Sequence, residues 1–451
     1  MRLKMRWQIN CSECTNEEKG KYSSMKGMMI GYDLNEYGCQ ISYFDETERE
    51  PATLEVAVDN YQIPLVIGYH DHTWFYGKRA RRLAVVKEGY TVDDLWNKAM
   101  AQEKITYEDQ TYEAVWLLAR FIEMSLKSFE NIGVIVFTLP KVNEDIVQML
   151  KGIAQRIGIE RRNIYVQDYK ESFCYYMFYQ PKELWQYESA LLYCDRKEIR
   201  AFMLKKLKTA FDKGRDPFVT VEEVANIGME ELKAVFPMTN EEKAAEADVR
   251  FRTFVQGVFE KRLISSVYLT GEGFDQNWYP SSLKVICNGR RAFQGNNLYS
   301  KGACYAAYRR GMKFEEGPVY LDDTKMTEQI SLKIRRSGGD VWQPVINWGA
   351  HWYESDCQLE LLLTDGEAIE IRIDSLASGE SRIEQISLDG LSVSQPYTVR
   401  VQMKMLFQDD KTLKVMIEDM GLGEFFPATG FAAEKLIRLG GSNGQFNSLS
   451  Q

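Results

Sequence analysis

The sequence reads as an α/β part followed by an all-β part, with the change falling at Gly317-Pro318. Before that point, GVIVFTLP (133–140) is a short apolar run of the fully buried kind. Asn143 then stands where a helix needs a cap, and Ile146, Leu150, Ile153 and Ile157 form one stripe. NIYVQDY (163–169) reads as the returning strand, and such a strand-helix-strand unit requires a right-handed crossover and a parallel pair. After Gly317 the period changes to two. QISLKI, CQLELLLTD, AIEIRID, YTVRVQMKMLF and TLKVMIED alternate apolar and polar residues between Asp, Gly and Ser turns, the pattern of an antiparallel sheet.

The remaining elements follow in order. Residues 1–26 form a polar leader, then MMIGYDL and CQISYF read as strands around the turn Asn35-Glu36-Tyr37-Gly38. Residues 64–86 continue as short β segments. A helix is predicted at about 108–130, with Val115, Leu118, Phe121, Ile122 and Leu126 on one face, and another at 171–179. ALLYCD (190–195) and IRAFMLKKL (199–207) are strands joined by a tight turn. A charged helix over 240–263 leads to the buried strand SSVYLTG (265–271), and 297–311 is a helix with small residues on its packing face. The expected division is a leader (1–26), an α/β domain (27–317), an antiparallel β-domain (318–435) and a Gly, Ser and Asn rich tail (436–451).

The composition, 45% hydrophobic and 27% charged over 451 residues, is that of a globular chain of two or three domains. A formal charge of −9 argues against a general nucleic-acid or acidic-membrane binder. No run of about 18 apolar residues suggests a membrane span, and the N-terminus lacks the apolar core of a signal peptide, so the cytoplasm is expected. Eight scattered cysteines fit reduced, packed thiols. Cys11 and Cys14 lack the two further ligands a zinc site needs, and His70-Asp71-His72 falls where a hairpin turn is expected.

Several segments, in order, resemble the nucleotide-binding domain of DnaK-type heat-shock chaperones and their actin-like relatives. GYDLNEYGCQIS resembles the first phosphate hairpin, with Asp33 on the family's aspartate. IPLVIGYHDHTWFYGKRA follows the next family segment. The stretch 133–172 is similar to the strand, helix and first connecting helix, with Asp168 on an acidic position. VYLTGEG (267–273) resembles the adenosine motif, SKGACYAA (300–307) the second connecting helix, and 387–419 the chaperone's β-domain. The resemblance implies a two-lobed, actin-like ATPase domain with ribonuclease H-like lobes, followed by an antiparallel β-sandwich without lid helices. It further implies ATP or ADP with magnesium between the lobes. Asp33 would hold magnesium through water and act with Asp168 in catalysis, and Asn35, Gly38, Asp195, Gly271, Gly273 and Gly302 would contact the nucleotide. Asp33 should then lie at a hairpin turn and Asp168 face it from the opposing lobe.

The sequence departs from this pattern where the chemistry is done. The first hairpin carries Asn35-Glu36-Tyr37 in place of glycine and hydroxyl residues, and a carboxylate about 5 Å from a phosphate charge costs roughly 3 kcal/mol. The second has the charged turn Asp195-Arg196-Lys197-Glu198 in place of a glycine cradle, although its two cations are suited to an anion. Glu272 intrudes between Gly271 and Gly273, and the chain between Leu204 and Val267 is short for a subdomain that closes over adenine. A bland reading stands beside the functional one: Asp33 tops a strand in a polar cleft, and Asp168 caps the next helix. Tyr165, Tyr169, Tyr175, Tyr176 and Tyr179 read as packing. Of Trp342, Trp348 and Trp352, the last two are candidate anchors for a protein or extended peptide. The expected function is a chaperone-like protein-binding scaffold with a degenerate ATP site. The alternatives are an active ATP-dependent chaperone and an actin-like filament protein.

Overall fold

The computed structural model describes residues 27–45, 49–57, 60–107, 109–209, 216–234, 236, 238, 240–312, 317–336, 339–363, 368–391, 398–424 and 426–440. The leader with Cys11 and Cys14, and the tail from 441 onward, lie outside them. The protein is mixed α/β and separates into two compact units, one from Tyr22–Lys205 and Val221–Glu315, the other including Lys206–Thr220 and Glu316–Gln451. The C-terminal unit therefore takes in Lys206–Thr220, far upstream of the break expected near Gly317.

The α/β unit opens with strands β1 (Met28–Leu34), β2 (Gly38–Asp45), β3 (Glu50–Thr53) and β4 (Ile63–Pro64). Next come β5 (Ile67–His70), β6 (Thr73–Tyr76), helix α1 (Gly77–Val86), β7 (Tyr90–Val92), α2 (Leu95–Met100), β8 (Lys104–Tyr107) and β9 (Gln110–Glu113). Asp71 and His72, at φ 46° and 58°, make the expected tight turn between β5 and β6. Two expectations change here. Residues 77–86 are helical rather than extended, and the helix expected from 108 begins at Ala114, because 104–107 and 110–113 pair as a hairpin.

The unit continues with α3 (Ala114–Leu126), β10 (Ile132–Leu139), α4 (Glu144–Arg156), β11 (Ile164–Asp168) and α5 (Tyr169–Phe178). Asn143 caps α4 as its spacing implied, accepting the Ile146 N–H at 2.9 Å. β12 (Glu188–Cys194), β13 (Glu198–Lys206), β14 (Phe218–Gly228), α6 (Met229–Leu232), α7 (Glu241–Phe259), β15 (Ile264–Thr270), α8 (Pro280–Ile286), β16 (Arg291–Gln294) and α9 (Leu298–Gly311) complete it.

Two sheets in this unit share one plan. The first has the order β11-β10-β1-β2-β3, the second β16-β15-β12-β13-β14. In each, the central strand pairs antiparallel with its hairpin partner and parallel with the strand on its other side, which is in turn parallel to the edge strand (β1, β2, β10, β11; β12, β13, β15, β16). Both faces of β1 are covered. Ile30, Tyr32 and Leu34 pack with Leu118 and Phe121 of α3, while Met29 packs with Ala303, Cys304, Ala306 and Ala307 of α9. This double burial explains why its sequence is apolar rather than alternating. Helices α5 and α9 cross closely, and a Cβ on Gly302 would overlap the Ser172 carbonyl oxygen.

The other unit begins where Phe218 and Val219 of β14 pair in parallel with β17 (Val319–Tyr320). Then follow β18 (Glu328–Arg336), β19 (Gly339–Ile346), β20 (Cys357–Leu363), β21 (Ala368–Ser375), β22 (Ser381–Ser387), β23 (Val399–Asp409), β24 (Thr412–Asp419) and β25 (Ala432–Arg438). They form two four-stranded antiparallel sheets, β19-β18-β21-β22 and β20-β23-β24-β25. Leu332, Ile371 and Ile373 from the first meet Leu361, Val401, Met403 and Val415 from the second in one core. The alternation read from TVRVQMKMLF sets this register, because a slip by one residue would turn Val401, Met403 and Met405 outward.

The tryptophans expected to anchor a partner sit differently. Trp348 joins Leu207, Phe218, Leu321 and Leu376 in a small cluster, edge-on to Phe218 at 5.8 Å, and its Nε1–H donates to the Asp374 carbonyl at 3.1 Å. Trp352 is partly buried against the sheet core, and the Arg372 guanidinium lies 5.1 Å from the Trp342 ring centroid. Trp348→Ala is therefore expected to lower stability by about 2–4 kcal/mol through lost packing, with Trp342→Ala costing far less. Chemical denaturation of both variants checks this, and a Trp348→Ala protein as stable as wild type would return that residue to a binding role.

Candidate functional site

β1 carries Asp33 to its end, where Asp33 pairs in register with Gln40 of β2 and Thr138 of β10. The residue is only 5% exposed. Beyond it, Asn35 folds the hairpin turn: its Oδ1 accepts the N–H groups of Tyr37 at 2.9 Å and Gly38 at 3.1 Å. Gly38 has no room for a side chain, since a Cβ there would run into the Ile63 carbonyl oxygen.

The β12–β13 hairpin of the second sheet is built the same way. Asp195 Oδ1 accepts the N–H groups of Lys197 at 2.7 Å and Glu198 at 2.9 Å. The two turns engage each other, Lys197 Nζ lying 3.2 Å from Glu36 Oε1. Arg196 makes a two-point ion pair with Glu272 at 2.7 and 3.0 Å, and its guanidinium is 5.5 Å from the Tyr37 ring centroid. These charges are largely exposed, so each pair contributes less than about 1 kcal/mol and acts mainly to orient the turns.

Asp168 corrects an expectation. It lies on the same sheet as Asp33, with β10 between them, rather than across a cleft: Asp33 is opposite Thr138, and Asp168 is opposite Leu139. Its carboxylate caps α5, accepting the Glu171 N–H at 2.8 Å, with Lys170 Nζ at 3.7 Å. The next residue is the one that meets Asp33. Tyr169 donates its O–H to Asp33 Oδ1 at 2.7 Å and accepts from Asn35 Nδ2 at 3.3 Å. Its ring stacks on Tyr299 of α9 at 3.8 Å, with Tyr193 of β12 about equidistant from the two, at 6.2 and 6.0 Å. Arg200 lies over Tyr193 at 5.2 Å.

Burial pushes the Asp33 carboxyl up from 3.8 to about 7, with the Tyr169 hydrogen bond pulling the other way. Burial also raises the Tyr169, Tyr193 and Tyr299 phenols well above their ordinary range, so they stay neutral donors at physiological pH.

The other glycines have steric tasks. Gly271, at φ 102°, and Gly273 both press on the end of β12, where a Cβ would overlap the Cys194 carbonyl oxygen and Sγ respectively. Gly302 serves the α5–α9 crossing. Among the described residues no group of three or more His, Cys, Asp or Glu side chains is arranged to hold a metal ion. The turn amides suited to phosphate are held by the turns' own side chains, Asn35 and Asp195. The aromatic contacts of Tyr169 with Tyr299 and Tyr193, and the cross-turn pairs, were not assigned from sequence. One signal was present: a tyrosine opens α5 and another is the second residue of α9.

Among the described residues no helix is long and apolar enough to cross a membrane. No curated protein matches the sequence. Residues 325–439 match a domain of unknown function, DUF8552, a span that holds both four-stranded sheets. Residues 50–323, more than half of the chain, match the C-terminal part of a family of unknown function, DUF5716, and the chain belongs to that family.

Proposed function

We propose that the protein is a cytoplasmic, chaperone-like protein-binding scaffold of the actin and DnaK class, whose ATP position is closed by its own side chains. The repeated sheet plan and the tight α5–α9 crossing support the actin-like, two-lobed reading, and the paired antiparallel sheets support a β-sandwich after it. The observation that carries the proposal is the Tyr169–Asp33 contact. Asp33, the carboxylate that the resemblance would assign to magnesium-bound water, is buried under a tyrosine hydroxyl, 2.7 Å away, and that ring is stacked on Tyr299. Opening such a site requires unstacking a buried aromatic pair and stripping four satisfied turn amides of their acceptors, a cost of several kcal/mol before any nucleotide contact forms.

Calorimetric titration tests this. Magnesium-ATP and ADP are expected to show no binding tighter than high micromolar, whereas sub-micromolar affinity or hydrolysis would return the protein to the active ATP-dependent chaperones. Partner binding then falls to the C-terminal sheets. With Trp348 engaged in packing, the β19 edge, paired only with β18 among the described residues, is the better surface for an added strand.

A further inference from the structure

Helix α1 carries Lys78, Arg79, Arg81 and Arg82, and Lys87 follows at its C-cap in the left-handed conformation. All five are exposed and none makes an ion pair with a described residue, in a chain where acidic residues outnumber basic ones by 65 to 56. The helix is anchored by a narrow stripe, with Gly77 and Ala80 buried and Leu83 half-buried. At 100° per residue, the opposite face holds Arg81, Val85, Lys78, Arg82, Val86 and Arg79 in that order, spread over about 160°. Val85 is 77% and Val86 52% exposed, so this face alternates unpaired cations with uncovered apolar side chains.

We infer that this face of α1 is a docking surface for an anionic lipid membrane. Each half of the pattern has a counterpart there. Cations on long stems reach headgroup phosphates and carboxylates, while short apolar side chains between them enter the boundary with the acyl region. A polyphosphate chain would engage the cations but leaves the two valines in water, which is why lipid fits better than nucleic acid. The overall negative charge does not oppose this, because beyond a Debye length of about 8 Å the remaining carboxylates are screened. A helix of ten residues gives reversible attachment only.

Sedimentation of the whole chain with vesicles tests the inference. Vesicles of phosphatidylcholine and phosphatidylserine in equal parts are expected to carry the protein down at about 0.15 M ionic strength, and phosphatidylcholine alone is not. The combined Arg79→Ala, Arg81→Ala and Arg82→Ala variant should weaken that binding about a hundredfold. Val85→Ser with Val86→Ser should weaken it several-fold without changing the salt dependence. All five positions are exposed, so unchanged melting shows that the fold is intact. Failure to sediment with phosphatidylserine vesicles at that ionic strength overturns the inference. So does equal binding by the valine variant together with tighter binding of duplex DNA, which would make α1 a nucleic-acid surface.

Discussion

Replacing Asp33 by Asn is expected to make the protein more stable above pH 7 and to abolish a loss of stability that the wild type suffers between about pH 4 and 7. The carboxyl titrates near 3.8 when unfolded and near 7 when buried in the fold. Across that window the unfolded chain has released a proton that the folded protein still holds, so rising pH favours unfolding. The stabilisation is complete below the unfolded value and gone above the folded one. At 1.36 kcal/mol per unit the full swing is roughly 4 kcal/mol. Asn keeps an oxygen for the Tyr169 hydroxyl but carries no charge to bury. Urea denaturation of both proteins at pH 5 and pH 8 measures the difference, in which all other titrating groups cancel. A variant no more stable than wild type at pH 8 would show that burial of the charged carboxylate carries no net cost there.

The second large effect is expected at Gly302. The missing side chain lets α9 pass against the backbone of α5, and a methyl group would meet the Ser172 carbonyl oxygen, which belongs to rigid helix rather than to a flexible side chain. Gly302→Ala therefore has to push two helices apart. It should cost 3 kcal/mol or more, at the upper end of overpacking, although alanine is the better helix former by about 1 kcal/mol. Gly152, half-buried in α4 but with open space where a Cβ would go, is the control, and Gly152→Ala should stabilise slightly. If Gly302→Ala melts like wild type, the close approach is not what requires glycine there.

What could be read from the sequence was what is local. The Asn143 cap, the hairpin at Asp71-His72 and the alternation of β23 each depend on residues a few positions apart. Helix α1 was missed for a related reason: the stripe it buries consists of the small residues Gly77 and Ala80 with half-buried Leu83, and the strands before it drew it into their pattern. Of the candidate site, the two hairpin turns and the position of Asp33 at the end of β1 were legible. The contacts made there were not, because Tyr169 reaches Asp33 across 136 residues of sequence and Lys197 reaches Glu36 across 161. Asp168 drew attention through its resemblance to an acidic motif position, while the residue beside it makes the contact.

The path of β14 has a bearing on how the protein is made. One strand starts at Phe218 among the residues of the C-terminal unit and ends at Gly228 in the α/β unit. By the time Glu315 has left the ribosome, everything the α/β unit requires has been synthesised. Leu207 and Phe218, by contrast, must wait for Leu321 and Leu376 before their apolar surface is covered. Vectorial synthesis thus leaves these two apolar side chains without those partners until the last third of the chain arrives. Truncated products ending before that point would be the aggregation-prone species in any expression of this protein.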